Sequence, residues 1–370
     1  MSDTHSLITI LSGLPDPRVE RSKEHELTDL LAIALCTLLV GGESFYDMAD
    51  FGHARKDWLQ TFLRLPNGIP SHDTFNRLFQ ALDPAAFAEA FAQWTQTLRL
   101  RLDREVVALD GKAARRATQA GQSPRHLVSA WATENGLTLG QLQVTEKSNE
   151  ITVVPALLRQ LELAGCIVTA DALHCQKNIA KEIIEADADY VLALKGNQGT
   201  VHEEVRAYLD DALARQDPAL VTLTQVDKGH GRLETRRYWQ SDALGWFADR
   251  EKWAGLRSVG VVEATRQVGD QTTVERRYYL SSLPKEAAQL AKAVRGHWAV
   301  ENSLHWVLDV VFGEDQSRAR TGHAVANLGL LRRLALNLLR RDKTCKRGAK
   351  GKQLNAALKP DYLLRLLKAT

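Results

Sequence analysis

The order of elements legible in the sequence predicts an α/β protein preceded by a small helical N-terminal part. Three observations carry that expectation. Residues 26–100 place apolar side chains at helical spacing, residues 105–144 change to short strand-like runs with a hairpin signal, and residues 151–194 alternate helix with strand. Such an alternation builds a sheet with crossover helices packed on it.

Each element has a local reason. Leu27, Leu30, Leu31, Ala34, Leu35 and Leu38 recur on a helical face that Gly41-Gly42 stops. A second helix is expected over Tyr46–Leu63. After the turn at Pro66-Asn67-Gly68, Ser71 caps a helix over His72–Leu82, and Asp83-Pro84 introduces another over Ala85–Leu100. The stretch Ile69–Arg77 resembles the entry to a helix-turn-helix recognition helix, although a small bundle packed on the core is the favoured reading. Glu105–Leu109 reads as a buried strand. Leu127–Thr133 and Thr138–Val144 form a hairpin across Glu134-Asn135-Gly136. Helix Ile151–Ala164, strand Cys166–Ala170, helix Lys177–Glu185 and strand Tyr190–Leu194 follow. This order matches a ribonuclease H-like core. Beyond it lie a helix over His202–Ala214 and strands over Leu233–Gln240, Leu256–Gln267 and Thr272–Ser281, a β-rich insertion at about 199–284. Helices Lys285–His297, Val300–Leu308 and Gly322–Arg341 close the core. The expected domains are therefore 1–100, 101–341 and a basic tail at 342–370.

Composition narrows the function classes. The 370 residues are 44% hydrophobic and 25% charged, ordinary for a globular protein, and the net charge is only +3. Its distribution is uneven: from Arg295 onward fifteen Lys/Arg face six Asp/Glu, a local excess of nine. The densest part is Arg340, Arg341, Lys343, Lys346, Arg347, Lys350 and Lys352 against Asp342. It reads either as a phosphate-attracting surface or as a solvated tail. Cys36, Cys166, Cys175 and Cys345 have neither zinc nor disulfide-framework spacing, which fits a reducing cytoplasm. No signal peptide or membrane span is read, and no P-loop or dinucleotide fingerprint appears.

The residues that could carry chemistry are acidic. Asp110 ends Val-Val-Ala-Leu-Asp and Asp171 ends Cys-Ile-Val-Thr-Ala-Asp, so both carboxylates are expected where buried strands stop. Glu301 lies on a later helix, with Asp309, Glu314 and Asp315 as alternatives nearby. Hard oxygen ligands of this kind suit Mg²⁺ or Mn²⁺, and two ions about 4 Å apart can act on a phosphodiester from both sides. Lys112, Arg115 and Arg116 follow Asp110, and Lys195 follows the strand after Asp171, where phosphates would lie. His297 and His305 could touch phosphate or pack, and the tryptophans of this stretch are expected in the core.

On these residues the chain resembles the ISAs1 family of bacterial insertion-sequence transposases, of the H-repeat-associated type. The resemblance rests on Ala108-Leu-Asp110-Gly-Lys112, Glu146-Lys-Ser-Asn149-Glu150, Thr169-Ala-Asp171-Ala, Leu194-Lys195-Gly-Asn197-Gln198, His230-Gly-Arg232 and His297-Trp-Ala-Val-Glu301-Asn-Ser-Leu-His305-Trp306. It implies a DDE transposase with Asp110, Asp171 and Glu301 as catalytic and metal-binding acids. It also implies DNA contacts from Lys112, Lys195, Asn197, Arg232, His297 and His305, double-stranded DNA ends and target DNA as partners, and a synaptic homodimer. A related transposase pattern has Arg four residues before the Glu and Lys seven after it, where this chain has His297 and Leu308. The rival readings are a metal-dependent DNA nuclease on the same fold and a non-catalytic DNA-binding derivative. A glycosidase built on a carboxylate pair stands further off, since it has no use for the basic residues.

Overall fold

The structure, a computed structural model, describes residues 7–100, 102–114, 116, 125–144, 150–229 and 231–368. Arg115, His230 and residues 146–149, named above, lie outside the described residues.

Among the described residues, the first α-helices are α1 (Leu7–Ser12), α2 (Leu27–Val40), α3 (Phe45–Ala54), α4 (Lys56–Leu59), α5 (His72–Ala81) and α6 (Pro84–Leu98). The helix expected over 46–63 is thus broken at Arg55. Capping explains the sharp starts. Ser44 and Asp47 form a reciprocal capping box on α3, and the Ser71 hydroxyl accepts from Thr74 N–H at α5. Strands β1 (Val106–Ala113), β2 (His126–Ala132) and β3 (Leu137–Val144) follow, then α7 (Glu150–Arg159), β4 (Ile167–Ala170), α8 (Lys177–Glu185), β5 (Asp189–Leu194) and α9 (Gly199–Ala214). Four long strands come next: β6 (Val221–Gly229), β7 (Arg232–Ser241), β8 (Ser258–Val268) and β9 (Gln271–Ser281). The chain ends in α10 (Ala287–Val300), a π-turn (Glu301–His305), α11 (Trp306–Phe312), α12 (Ala324–Arg341), α13 (Ala349–Leu358) and α14 (Pro360–Leu367).

Contacts group the chain into two compact units. One comprises residues up to 100, 111–153 and 301 onward; the other comprises 101–110 and 154–300. These units cut across the boundaries expected from sequence (1–100, 101–341 and 342–370).

In the first unit the reason is α2, which is buried on almost every side and packs on α3, α12 and α13. The α12 helix is buried from Ala324 to Leu339, and the amide groups of its two asparagines are used within the unit. Asn337 exchanges two hydrogen bonds with the backbone of Thr138, at 3.0 and 2.8 Å, and so acts as a partner to strand β3. Asn327 donates to the carbonyls of Phe79 and Leu82 at the end of α5. The basic stretch after Arg340 is not a frayed tail. The Arg340 guanidinium lies 4.3 Å from the Trp131 ring centre. Buried Lys352 donates to the carbonyls of Leu339 and Asp342 at 2.7 and 2.6 Å, closing the end of α12. Lys343, Lys346, Arg347 and Lys350 remain exposed. In this unit β3 pairs with β2, and β2 lies beside the end of β1.

The second unit is built on strands in the order β1-β4-β5-β9-β8-β7-β6. β1, β4 and β5 are parallel, whereas β5 meets β9 antiparallel and the remaining pairs are antiparallel. The β-rich insertion therefore continues this sheet from β5. Its first strand, β6, was not among the strands read above, although Val-Thr-Leu-Thr-Gln-Val alternates at strand period. The α10 helix packs on β4, β5, β6 and β7, and Val106, Ile167, Val191, Tyr279, Leu290 and Val294 form the core beneath it. Among the described residues no single helix is long and apolar enough to cross a membrane.

Candidate active site

Register brings the first two acids together. β1 and β4 pair in parallel up to Leu109 and Ala170, so Asp110 and Asp171 are the next residues on adjacent chains and point to the same sheet face. Val106–Leu109 and Ile167–Ala170 are buried, and exposure begins at the two carboxylates. One expectation needs correction: β1 does not stop at Asp110 but runs on to Ala113. Lys112 therefore shares the face of Asp110, two residues on.

The α10 helix covers that face. Thr169 Oγ1, on the same face as Asp171, lies 3.2 Å from His297 Nδ1 on α10. Gly296 makes the close approach possible, since a Cβ there would sit 2.8 Å from Val106 Cγ1. His297 is thereby desolvated, and its imidazole is pushed down to about 4, which keeps it neutral at pH 7. It faces the sheet from α10 and lines a cavity with Asp171, which is near enough to oppose part of that shift.

Asp171 is held by its own turn. Its Oδ1 accepts from the backbone N–H groups of Leu173 and His174, at 3.1 and 3.3 Å, and lies 2.8 Å from His174 Nδ1. Burial pushes this carboxyl up, but the hydrogen bond and charge of His174, its backbone N–H and His297 together bring it below its ordinary value. Asp171 stays ionised with Oδ1 engaged, and among the described residues Oδ2 accepts no hydrogen bond. His174 was missed from sequence; its signal was the position three residues after a strand-end Asp, where a side chain can fold back. Asn197 also serves this turn, donating to the Ala172 carbonyl at 2.8 Å, which is a different task from the expected DNA contact.

Asp171, Lys195, Arg277, His297 and Trp298 line a small cavity of about 60 Å³. Lys195 is exposed, and among the described residues it makes no ion pair. Arg277 stacks 4.2 Å above the Trp298 ring. Trp298 and Trp306 are 45% and 57% exposed, against the expectation that both were core. Arg232 is not part of this group. It pairs with Val268 and, through it, Gln271, seven residues along β9 from the Tyr278 that faces Leu194. At strand rise that is roughly 23 Å away.

In the other unit Glu301 opens the π-turn directly after α10, with an exposed carboxylate 3.6 Å from buried His305 Nδ1. His305 packs against Glu301 and is not open to a phosphate. Lys112 is likewise not free for DNA. Its ammonium binds Asp309, lies 3.1 Å from Glu314 and 3.5 Å from Asp315. Glu314 also accepts from fully buried Arg333 at 2.7 Å. Burial pushes the Glu314 carboxyl up, yet Arg333, Lys112 and Arg332 outweigh it and hold it down to about 2. All three alternatives to Glu301 are thus engaged by Lys112.

The chain matches the family described as "Transposase DDE domain" over residues 101–338, and that described as "DDE_Tnp_1-associated" over residues 8–95. The chain belongs to the DDE transposase family. It is 38% identical to "Putative transposase YncI" of Escherichia coli O157:H7, over 98% of this chain and 94% of that protein. It is 36% identical to "H repeat-associated putative transposase YhhI" of Escherichia coli strain K12, over 98% of this chain and 97% of that protein. Among solved structures, this transposase resembles the piggyBac transposase synaptic complex with hairpin DNA at a TM-score of 0.47. That likeness has 11% identity and covers 98% of this chain and 79% of that one. The protein is a DNA transposase.

Proposed function

We propose that this transposase cuts and rejoins DNA strands at the ends of a bacterial insertion sequence, with Asp110, Asp171 and Glu301 as its catalytic carboxylates. The observation that carries the reading is the β1–β4 register, which sets Asp110 and Asp171 side by side where their strands emerge from the core. Glu301 is assigned as the third acid from the chain itself. The helix lying over the face of Asp110 and Asp171 ends at Val300, and Glu301 follows without a loop, one turn after His297. The three adjacent parallel strands β1, β4 and β5, with α10 packed on them, support a ribonuclease H-like core.

The donor set fits a hard divalent cation such as Mg²⁺ or Mn²⁺. It is all oxygen, and Asp171 spends Oδ1 on its own turn while Oδ2 accepts no hydrogen bond among the described residues. A cation held there would supply charge for the attacked phosphate and acidify a nucleophilic water or hydroxyl. The protein's own residues do the rest. His174 and the turn amides fix the Asp171 carboxylate, and neutral His297 seals the sheet against α10 without competing as a cation. Exposed Lys195 offers positive charge to the phosphates of the scissile strand. Joining requires two ends at once, so a second copy in a synaptic complex belongs to the proposal.

The test uses a labelled duplex carrying an element end, with Mg²⁺ or Mn²⁺. Wild-type protein is expected to give both cleaved and joined products. Asp110→Asn, Asp171→Asn and Glu301→Gln should each lose both while still binding the duplex. Cleavage without joining would turn the reading toward a nuclease, and undiminished activity in Asp171→Asn would sink the assignment.

A further inference from the structure

The helical unit holds a groove that the carboxylate chemistry does not use. Its cavity of about 580 Å³ is walled by Tyr46 on α3, Asn76 and Gln80 on α5, and Gln316, Arg318 and Arg320 on the segment after α11.

Two features give the groove a ligand class. The first is an exposed aromatic shelf. Tyr46 is 64% exposed and stacks on His72 with centroids 4.0 Å apart and planes 19° from parallel. The second is uncompensated positive charge. Arg318 is exposed and, among the described residues, makes neither an ion pair nor a hydrogen bond. Arg320 spends one donor on the Arg116 carbonyl at 2.9 Å. The acids nearby are turned to other tasks. Asp47 accepts from the backbone of Glu43 and Ser44, Asp73 faces His72, and Glu43 sits against Gly313 and toward Arg332.

The segment carrying the arginines is fastened at both ends. Gly313 closes α11 in a left-handed turn, and Gln316 N–H returns to its carbonyl at 2.9 Å. At the far end His323 N–H donates to the Gln80 carbonyl at 3.0 Å. Gly322, at φ +56°, passes so close that a Cβ would lie 2.5 Å from that same oxygen. Arg318 is therefore presented on a fixed loop.

Arginine pairs with phosphate, side-chain amides read base edges, and an aromatic face stacks on a base. A base inside a duplex already has both faces covered, so the shelf gains only from an unpaired one. From this combination we propose that the groove binds an unpaired nucleotide at a DNA strand end. The proposal takes from the DNA-processing reading above only that the partner is DNA.

The experiment measures fluorescence anisotropy of the full chain in EDTA, so that no cutting occurs. The probes are a blunt duplex and the same duplex with a short single-stranded tail. Tyr46→Ala and Arg318→Ser should each weaken binding of the tailed probe by about tenfold, change the blunt probe by less than about twofold, and keep the wild-type circular dichroism spectrum. Tyr46→Phe, which retains the stacking face, should bind the tail as wild type does. Equal losses on both probes would overturn the proposal, as would no loss on either. Wild-type protein that binds neither probe would overturn the DNA reading along with it. Unchanged tail binding in variants that still cut DNA would overturn this proposal alone.

Discussion

Replacing Glu314 by Gln tests the buried ion cluster that dominates the first unit. Glu314 is 4% exposed in its side chain, Arg333 is 0% exposed, and they meet at 2.7 Å with Lys112 on the other carboxylate oxygen at 3.1 Å. Gln keeps the shape but removes the charge, so Arg333 and neighbouring Arg332 stay buried without their counterion. Breaking a buried pair from one side costs about 3–5 kcal/mol. The carboxyl's own titration gives a second route to the magnitude. Held at about 2 instead of its ordinary 4.5, it contributes on the order of 3 kcal/mol at neutral pH. Because the folded-state value is depressed, this stability is present in full above about pH 4.5 and is lost as pH falls toward 2. A unit of about two hundred residues should then melt about 6–12 °C lower at pH 7. Wild-type and Glu314→Gln melting temperatures should converge as pH falls through the same window. Differential scanning calorimetry across pH 7 to 3 makes the comparison. A loss below about 1 kcal/mol at pH 7, or a difference that does not shrink in acid, would refute the reasoning.

Three further outcomes follow from named contacts. Gly296→Ala places a methyl 2.8 Å from Val106 Cγ1 and must lift α10 from β1, costing about 1–3 kcal/mol; unchanged melting and cleavage would show that the helix has slack there. Lys352→Met keeps the stem of the side chain but leaves two carbonyls at the end of α12 without their donor, for about 1–3 kcal/mol seen in urea unfolding. Gly322→Ala forces a side chain into a left-handed backbone against the Gln80 carbonyl, and faster proteolysis between α11 and α12 should report the loosened loop.

The chain order of elements was legible because it depends on local periodicity and on turn chemistry. Asn135-Gly136 announced the β2–β3 hairpin, and Ser71 announced α5. What sequence could not show depends on distant partners. Nothing local marks β9 as the neighbour of β5, so the insertion looked separate although it extends the sheet. Residues 342–370 read as a tail because their charge is visible while the burial of Lys352 and Tyr362 is not. The helices expected to end at His297 and restart at Val300 are joined by a π-turn, a backbone choice that hydrophobic spacing does not encode.

The same distinction separates the acids. Asp110 and Asp171 stood out in the sequence because a carboxylate after a fully apolar strand is costly unless it is solvated or partnered. Glu301, Asp309, Glu314 and Asp315 cannot be ranked that way, since all lie in one acidic stretch. Their partners rank them. Lys112, expected to meet phosphate, instead gathers Asp309, Glu314 and Asp315, and Arg333 completes the neutralisation of Glu314. A carboxylate already paired with a buried cation would have to break that pair before it could bind a metal. Glu301 keeps an exposed carboxylate opposite a histidine, so it can accept a divalent cation at the smallest structural cost. The lysine that seemed to belong to the DNA thus argues, through the acids it removes from contention, for Glu301 as the third member of the proposed set.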